Sequence, residues 1–131
     1  WPIVLPERVD AEQTDWLRGL RWPVVVVVHA NHAQEIDLHV GDALHRLRAA
    51  GATLLNQSVL LRGVNDDAGV LLGVIPYYLH LLDRVAGAAH FQVQLPAARN
   101  LLRALRATLP GYLVPRLARE DAGRTSKTVL G

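Results

Sequence analysis

Five side chains of this sequence have types suited to chemistry: an imidazole, an amide, two carboxylates and a primary amine. They belong to His29, Gln57, Asp83, Glu120 and Lys127. Lys127 is the only lysine beside thirteen arginines, so it is the one side chain able to form a Schiff base with an aldehyde cofactor such as pyridoxal phosphate. A lone lysine in a loop is more often simply solvated. The residue type alone leaves both interpretations open.

The carboxylates of Asp83 and Glu120 suit a general acid and base, or a grip on a cationic group of a substrate. Each residue also stands beside an arginine, Arg84 and Arg119 respectively. Ordinary surface charge is therefore the competing interpretation, and spacing alone favours it.

Two further polar clusters have ambiguous spacing. His29-x-x-His32 with Glu35 offers ligands that suit zinc or iron, but it lacks the helical context that makes such motifs specific. A polar loop with incidental histidines is the plainer interpretation. The run 56–58, Asn-Gln-Ser, is able to hydrogen-bond a ligand, or only its own side chains and the backbone.

The elements that must position these residues alternate between strands and helices. The first half predicts a strand at Ile3–Leu5, a helix near Glu12–Leu20 and a strand at Val24–Val28, whose unbroken β-branched run is typical of burial on both faces. Asp37 caps the next helix and Gly51 closes it in the left-handed conformation. The second half predicts strands at 53–61, 76–83 and 112–117, a short helix capped by Asp66 or Asp67, and a helix from Pro96 to Leu109.

This order predicts one α/β domain over residues 1–131, with a parallel sheet and right-handed crossovers. Ligands of such folds bind at the C-terminal ends of the strands. His29, Gln57, Asp83 and Glu120 all fall at such ends, so they are predicted to converge at one rim of the sheet.

Composition narrows the function class. Half of the residues are hydrophobic, a fifth are charged and the net charge is +2, which is typical of a globular domain. The arginines form no basic stripe with interleaved aromatics, so we expect no nucleic-acid partner. No apolar run approaches the roughly 20 residues that span a bilayer and no leader pattern is seen, so we expect no membrane partner and a cytoplasmic location. With no cysteine, the chain cannot ligate an iron–sulfur cluster by itself.

One string is highly specific: residues 56–66, Asn-Gln-Ser-Val-Leu-Leu-Arg-Gly-Val-Asn-Asp. It resembles the corresponding segment of the lysine 2,3-aminomutase family. The resemblance covers nearly the whole chain. Further matching motifs follow the family's order: 29–32 (HANH), 76–78 (PYY), 87–91 (GAAHF), 111–115 (GYLVP) and 126–128 (SKT). The stretches YLHLLD and VPRLARE look most like the bacterial branch that supplies β-lysine for modifying elongation factor P.

The resemblance implies an isomerase that converts L-lysine to β-lysine. A [4Fe–4S] cluster would cleave S-adenosylmethionine to a radical, which would act on lysine joined to pyridoxal phosphate. The implied fold is the C-terminal segment of a partial (β/α) barrel.

The family's roles carry over by position. His29 and Gln57 match residues lining the S-adenosylmethionine site, and Asp83 and Glu120 match the acidic pair that holds the substrate's side-chain ammonium. Lys127, twelve residues after Pro115, matches the lysine that forms the Schiff base with pyridoxal phosphate. His80 stands where clostridial members have a Tyr beside the cofactor.

The sequence also departs from the family pattern. The CxxxCxxC cluster motif is not in this chain, so we expect the chain to be inactive alone. The segment from Asp66 to Pro76 is shorter by roughly nine residues, or about two and a half helical turns, which predicts exposure of the sheet face beneath it. A barrel cut open at Trp1 would leave a strand edge prone to self-association. A non-catalytic module that kept only the fold, or an enzyme using only pyridoxal phosphate on Lys127, remain the alternatives.

Overall fold

The computed structural model describes residues 2–83, 85–121 and 123–131, which form an open five-stranded sheet with helices. The first four strands pair in parallel, and the fifth is antiparallel to the fourth. In sheet order they are β1 (Val25–His29), β2 (Thr53–Leu60), β3 (Tyr78–Leu81), β4 (Arg116–Arg119) and β5 (Thr128–Val129). The predicted α/β fold of alternating strands and helices is confirmed, and the sheet does not close into a barrel.

Local signals in the sequence set the helix ends. The helices are α1 (Ala11–Arg18), α2 (Leu38–Ala49), α3 (Ala68–Leu72) and α4 (Leu95–Thr108). The carboxylates of Asp37 and Asp67 accept hydrogen bonds from first-turn N–H groups of α2 and α3, as predicted. Gly51 follows α2 with a φ of +98°, a conformation that favours glycine, and so ends the helix as predicted.

The helices cover one face of the sheet. Side chains alternate along a strand, so every second residue of each strand points into this layer. Leu60, Leu79 and Leu117 pack there with α3 and α4. A second cluster packs α1 and α2 against β1 and the start of β2. The expectation that a shortened 66–76 segment exposes the sheet is wrong, because Leu60 and Leu79 are 0% exposed and share a cluster with Leu71 of the five-residue α3.

Three strand predictions require correction. Ile3–Leu5 forms no strand; turn residues there lead into a single 3-10 turn, Pro6–Arg8. The run 24–28 is not buried on both faces, because helices cover only one side: Val28 is 5% exposed but Val25 is 53% exposed. The strand predicted at 112–117 begins only at Arg116, since Pro115 has no N–H for a ladder and the preceding residues form a 3-10 turn.

The edges of the sheet differ from the simple parallel expectation. β5 was not predicted, and it pairs with β4 in the opposite direction through two residue pairs. At the other side, β1 is the edge strand of the sheet among the residues that the structure describes. Trp1 lies outside the described residues. No helix of the described ranges is long and apolar enough to span a membrane.

Candidate active site

The sheet face opposite the helices carries most of the candidate residues. Strand register places His29 of β1 beside Gln57 of β2, and Gln57 beside Tyr78 of β3. Two residues further along β3, His80 stands beside Ala118 of β4. Because alternate side chains share a face, these residues line the open side together.

His29 and Gln57 contact each other directly. The amide Nε2 of Gln57 lies 2.8 Å from Nε2 of His29, in a contact where the amide donates and the ring nitrogen accepts. His29 is exposed, and Gln57 is half-buried. The pair presents hydrogen-bonding groups to the open face, where a polar ligand has access to them.

The neighbours of Gln57 in the sequence point into the protein instead. The side chain of Asn56 bonds both backbone groups of Ala30, at 2.9 and 3.0 Å. The hydroxyl of Ser58 donates to the same Ala30 carbonyl at 2.6 Å. Asn56 and Ser58 therefore hydrogen-bond the backbone just after β1, and in the Asn-Gln-Ser run Gln57 is the residue whose side chain is free to meet a ligand on the open face.

Lys127 lies on the part of the open face formed by β3 and β4. Its Nζ is 3.2 Å from Nε2 of His80, 3.7 Å from Oε1 of Glu120 and 5.1 Å from the centre of the Tyr78 ring. Lys127 is half-buried and His80 is buried. The carboxylate and the aromatic ring both favour a cation, whereas the imidazole offers a lone pair.

Hydrogen bonds to Asp121 stabilise the connection between β4 and β5. Its carboxylate accepts a hydrogen bond of 2.6 Å from the Thr128 hydroxyl and one of 2.8 Å from Nε of Arg119. The bond from Thr128 and then that from Arg119 lower the pKa of Asp121, so the carboxylate stays charged. Because Thr128 follows Lys127, this fastening also helps to place the amine.

The environment of His80 favours an uncharged imidazole. Burial lowers the pKa of His80 most, and the nearby positive charge of Lys127 lowers it further. Glu120 and Asp83 oppose this shift, and His29 adds to it.

Changing the charged neighbours of His80 should move its pKa in opposite directions. Lys127→Met removes a positive charge that disfavours the imidazolium, so the pKa of His80 rises. Glu120→Gln removes a negative charge that favours the imidazolium, so that pKa falls further. A two-dimensional NMR titration of the imidazole signals measures both variants. Shifts in the same direction would contradict the observed arrangement.

Asp83 and Glu120 line one cleft of about 920 Å³ at the ends of β3 and β4. Both residues are exposed, and Arg119, Asp121 and Arg124 line the same cleft. Arg84, the sequence neighbour of Asp83, lies outside the described residues. The carboxylates predicted to act together therefore border one space, with Glu120 also reaching towards Lys127.

The side chains of His32 and Glu35 are engaged in local backbone contacts. Oε1 of Glu35 accepts hydrogen bonds from the N–H groups of Asn31 and His32, and Nδ1 of His32 accepts one from Gln34. Together they form a capping box around the 3-10 turn Ala33–Glu35. Within the ranges that the structure describes, no three His, Cys, Asp or Glu residues are grouped to hold a metal ion.

The resemblance had placed His80 beside the cofactor, but sequence reasoning did not assign Tyr78 or Asp121 to the site. The alternation Tyr78-x-His80 in a strand was a usable signal, because it puts both rings on the face of Gln57. Asp121 had no such signal. Its role depends on β5 returning antiparallel to β4, which no pattern in the sequence indicated.

The chain is similar to known proteins that carry one shared name. No family model matches the chain. It is 47% identical over 138 residues to the L-lysine 2,3-aminomutase of Escherichia coli and 46% identical over 137 residues to that of Haemophilus influenzae, with 98% of the chain covered in each case. The chain is a relative of the L-lysine 2,3-aminomutases. The enzyme of this name from Clostridium subterminale is 35% identical over 136 residues, covering 97% of the chain.

The extent of these matches limits what they show. The chain spans about 40% of the length of the Escherichia coli and Haemophilus influenzae aminomutases, and 32% of the clostridial aminomutase. It corresponds to a C-terminal part of them. The resemblance found in the motifs is therefore confirmed, while the activity of the complete aminomutases belongs to proteins more than twice as long.

Proposed function

We propose that this chain is the pyridoxal-phosphate-bearing part of a lysine 2,3-aminomutase, an isomerase that converts L-lysine to β-lysine. The observation that carries the proposal is the position of the single lysine. Lys127 is half-buried on the open sheet face, with its amine between an imidazole and a carboxylate. A primary amine held this way fits an aldehyde cofactor, which supplies an electron sink beside the reacting amino group.

The other site residues have complementary roles in this proposal. His29 and Gln57 hold S-adenosylmethionine through hydrogen bonds on the β1–β2 side of the face. Asp83 and Glu120 hold the side-chain ammonium of L-lysine in the shared cleft, because two carboxylates complement one cation. The ammonium of the substrate and the amine of Lys127 would then lie on either side of Glu120.

The chain does not fit a [4Fe–4S] cluster, because it contains no cysteine. We therefore propose that the isolated chain binds pyridoxal phosphate but does not start the radical reaction. Formation of β-lysine by the isolated chain would contradict this part of the proposal.

The wider setting is proposed from the resemblance. The product β-lysine would serve the modification of elongation factor P in the cytoplasm, with no nucleic-acid or membrane partner. Among the described residues β1 is an edge strand, and Val25 and Val27 are 53% and 42% exposed on the open face beside it, which supports self-association of the isolated chain.

Mapping of the reactive lysine tests the proposal. The chain is mixed with pyridoxal phosphate, reduced with borohydride and digested, and the modified residue is identified by mass spectrometry. We expect modification of Lys127, complete loss of that modification in Lys127→Ala, and its retention in Arg124→Ala, a matched change of an exposed cation in the same turn. No modification of Lys127 in a folded sample would overturn the proposal and favour a non-catalytic module that kept only the fold.

A further inference from the structure

The contact between His80 and Lys127 restricts the protons that the two groups can hold. Nε2 of His80 and Nζ of Lys127 are 3.2 Å apart. An ammonium and an imidazolium are both donors only, so they cannot hydrogen-bond to each other. The contact needs one lone pair. With Lys127 charged, that lone pair is on Nε2, and the hydrogen of the neutral ring is on Nδ1.

The surroundings assign the charge to the lysine. Oε1 of Glu120 and the ring of Tyr78 flank Nζ and stabilise a cation there. The charged or titratable groups that act on His80 are Lys127, Glu120, Asp83 and His29, and its ring also lies 5.7 Å from that of Tyr78. Burial and Lys127 lower the pKa of His80, so its imidazole is uncharged near neutral pH. A buried neutral base therefore contacts an ammonium that must lose a proton before it can react.

We propose that His80 is a general base that accepts the proton of the Lys127 ammonium when this amine reacts with an aldehyde. This inference rests on the proposed function, in which Lys127 is the residue joined to pyridoxal phosphate. It adds a proton-transfer role for His80, whose Nε2 lies closer to the Lys127 amine than the Glu120 carboxylate does.

The proton and electron movements balance with His80 unchanged at the end. Nζ of Lys127 gives one proton to Nε2 of His80, and the freed nitrogen lone pair forms the C–N bond. The carbonyl π electrons move to oxygen, which takes one proton from nitrogen and one from the His80 imidazolium. Oxygen leaves as water while the remaining nitrogen lone pair makes the bond C=N. No oxidant or reductant is needed.

The pH dependence of the modification rate tests this role. Samples with pyridoxal phosphate are quenched with borohydride over time, and modified Lys127 is quantified by mass spectrometry. In the unaltered chain the rate falls as the pH drops through the pKa of His80, which lies below its usual 6.5. In His80→Gln the amide still hydrogen-bonds but does not titrate. We expect its rate to be about 100-fold slower at about pH 7, without that inflection.

His45→Gln, a change of an exposed histidine on α2, controls for the substitution itself and should match the unaltered chain. If Lys127 is modified but His80→Gln keeps the rate and inflection of the unaltered chain, this inference fails and the proposed function stands. If Lys127 is not modified at any pH, the proposed function itself fails.

A measurement on the unaltered chain covers the case in which His80→Gln does not fold. The ¹⁵N shifts of the His80 ring report which nitrogen carries the hydrogen. We expect hydrogen on Nδ1 and a free lone pair on Nε2 at neutral pH. Hydrogen on Nε2 would overturn the inference, because the ring would then donate to Lys127 rather than accept from it.

Discussion

Replacing Asn65 by alanine is expected to lower the free energy of unfolding by about 4 kcal/mol. Asn65 is 0% exposed, and all of its polar side-chain atoms are used. Its Oδ1 accepts from the N–H of Leu61 at 2.7 Å, and its Nδ2 donates to the carbonyls of Asn31 and Val59, each at 2.9 Å. Alanine leaves three backbone groups without these partners, and each buried loss costs about 1–3 kcal/mol. Urea unfolding followed by circular dichroism measures the change.

Asn100→Ala is the matched control, because Asn100 is exposed on α4 and its loss should change stability by less than about 0.5 kcal/mol. A loss below about 1 kcal/mol in Asn65→Ala would show that water or rearranged backbone replaces the three bonds. The predicted change is large beside the roughly 5–15 kcal/mol that stabilises a whole domain.

Truncating Leu79 to alanine is expected to cost about 3 kcal/mol. Leu79 lies in the middle of β3, is 0% exposed and packs in the cluster of α3 and α4. The loss combines the apolar area returned to water with the cavity left behind, since packed strands and helices relax only partly. Thermal and urea unfolding both report it.

Leu38→Ala makes the same chemical change at a residue that is 86% exposed at the start of α2. It should alter stability by less than about 0.5 kcal/mol. Equal losses in Leu38→Ala and Leu79→Ala would mean that the layer of α3 and α4 on the sheet is not the packed core described above.

The parts of the fold that could be predicted are those governed by short-range chemistry. Asp37 and Asp67 cap helices because a carboxylate can accept hydrogen bonds from the free N–H groups of a helix's first turn, whatever the rest of the fold is. The valines of β1 show the limit of prediction from short-range chemistry. Their run indicates a strand, but whether a second layer covers Val25 and Val27 depends on residues distant in sequence.

The candidate site was predicted in part for a similar reason. The rule that parallel strands end at a common rim was enough to put Asp83 and Glu120 on one cleft. His29 meets Gln57 through the register of β1 on β2, because Gln57 lies inside β2 and not at its end. The rule could not connect Lys127 to His80. That contact depends on β5, a strand of only two residues, which is too short to leave a pattern in the sequence.

Most polar side chains of the characteristic segment 56–66 that make hydrogen bonds have structural roles. Asn56, Ser58 and Asn65 bond to backbone groups around Ala30 and Asn31, and these bonds hold the end of β1 against β2. Gln57 is the polar residue of β2 whose amide contacts another candidate site residue. The residues that make this motif recognisable therefore act largely by hydrogen-bonding the backbone that positions the site.

The short β5 has a consequence for the amine beside it. β4 and β5 share two residue pairs, whereas β1 and β2 share five. Edge pairings this small separate through local openings that need far less free energy than global unfolding, so their amides exchange with solvent hydrogen early. Lys127 precedes this strand directly, so we expect its amine to leave His80 and become hydrated when β5 opens, while the rest of the sheet remains folded.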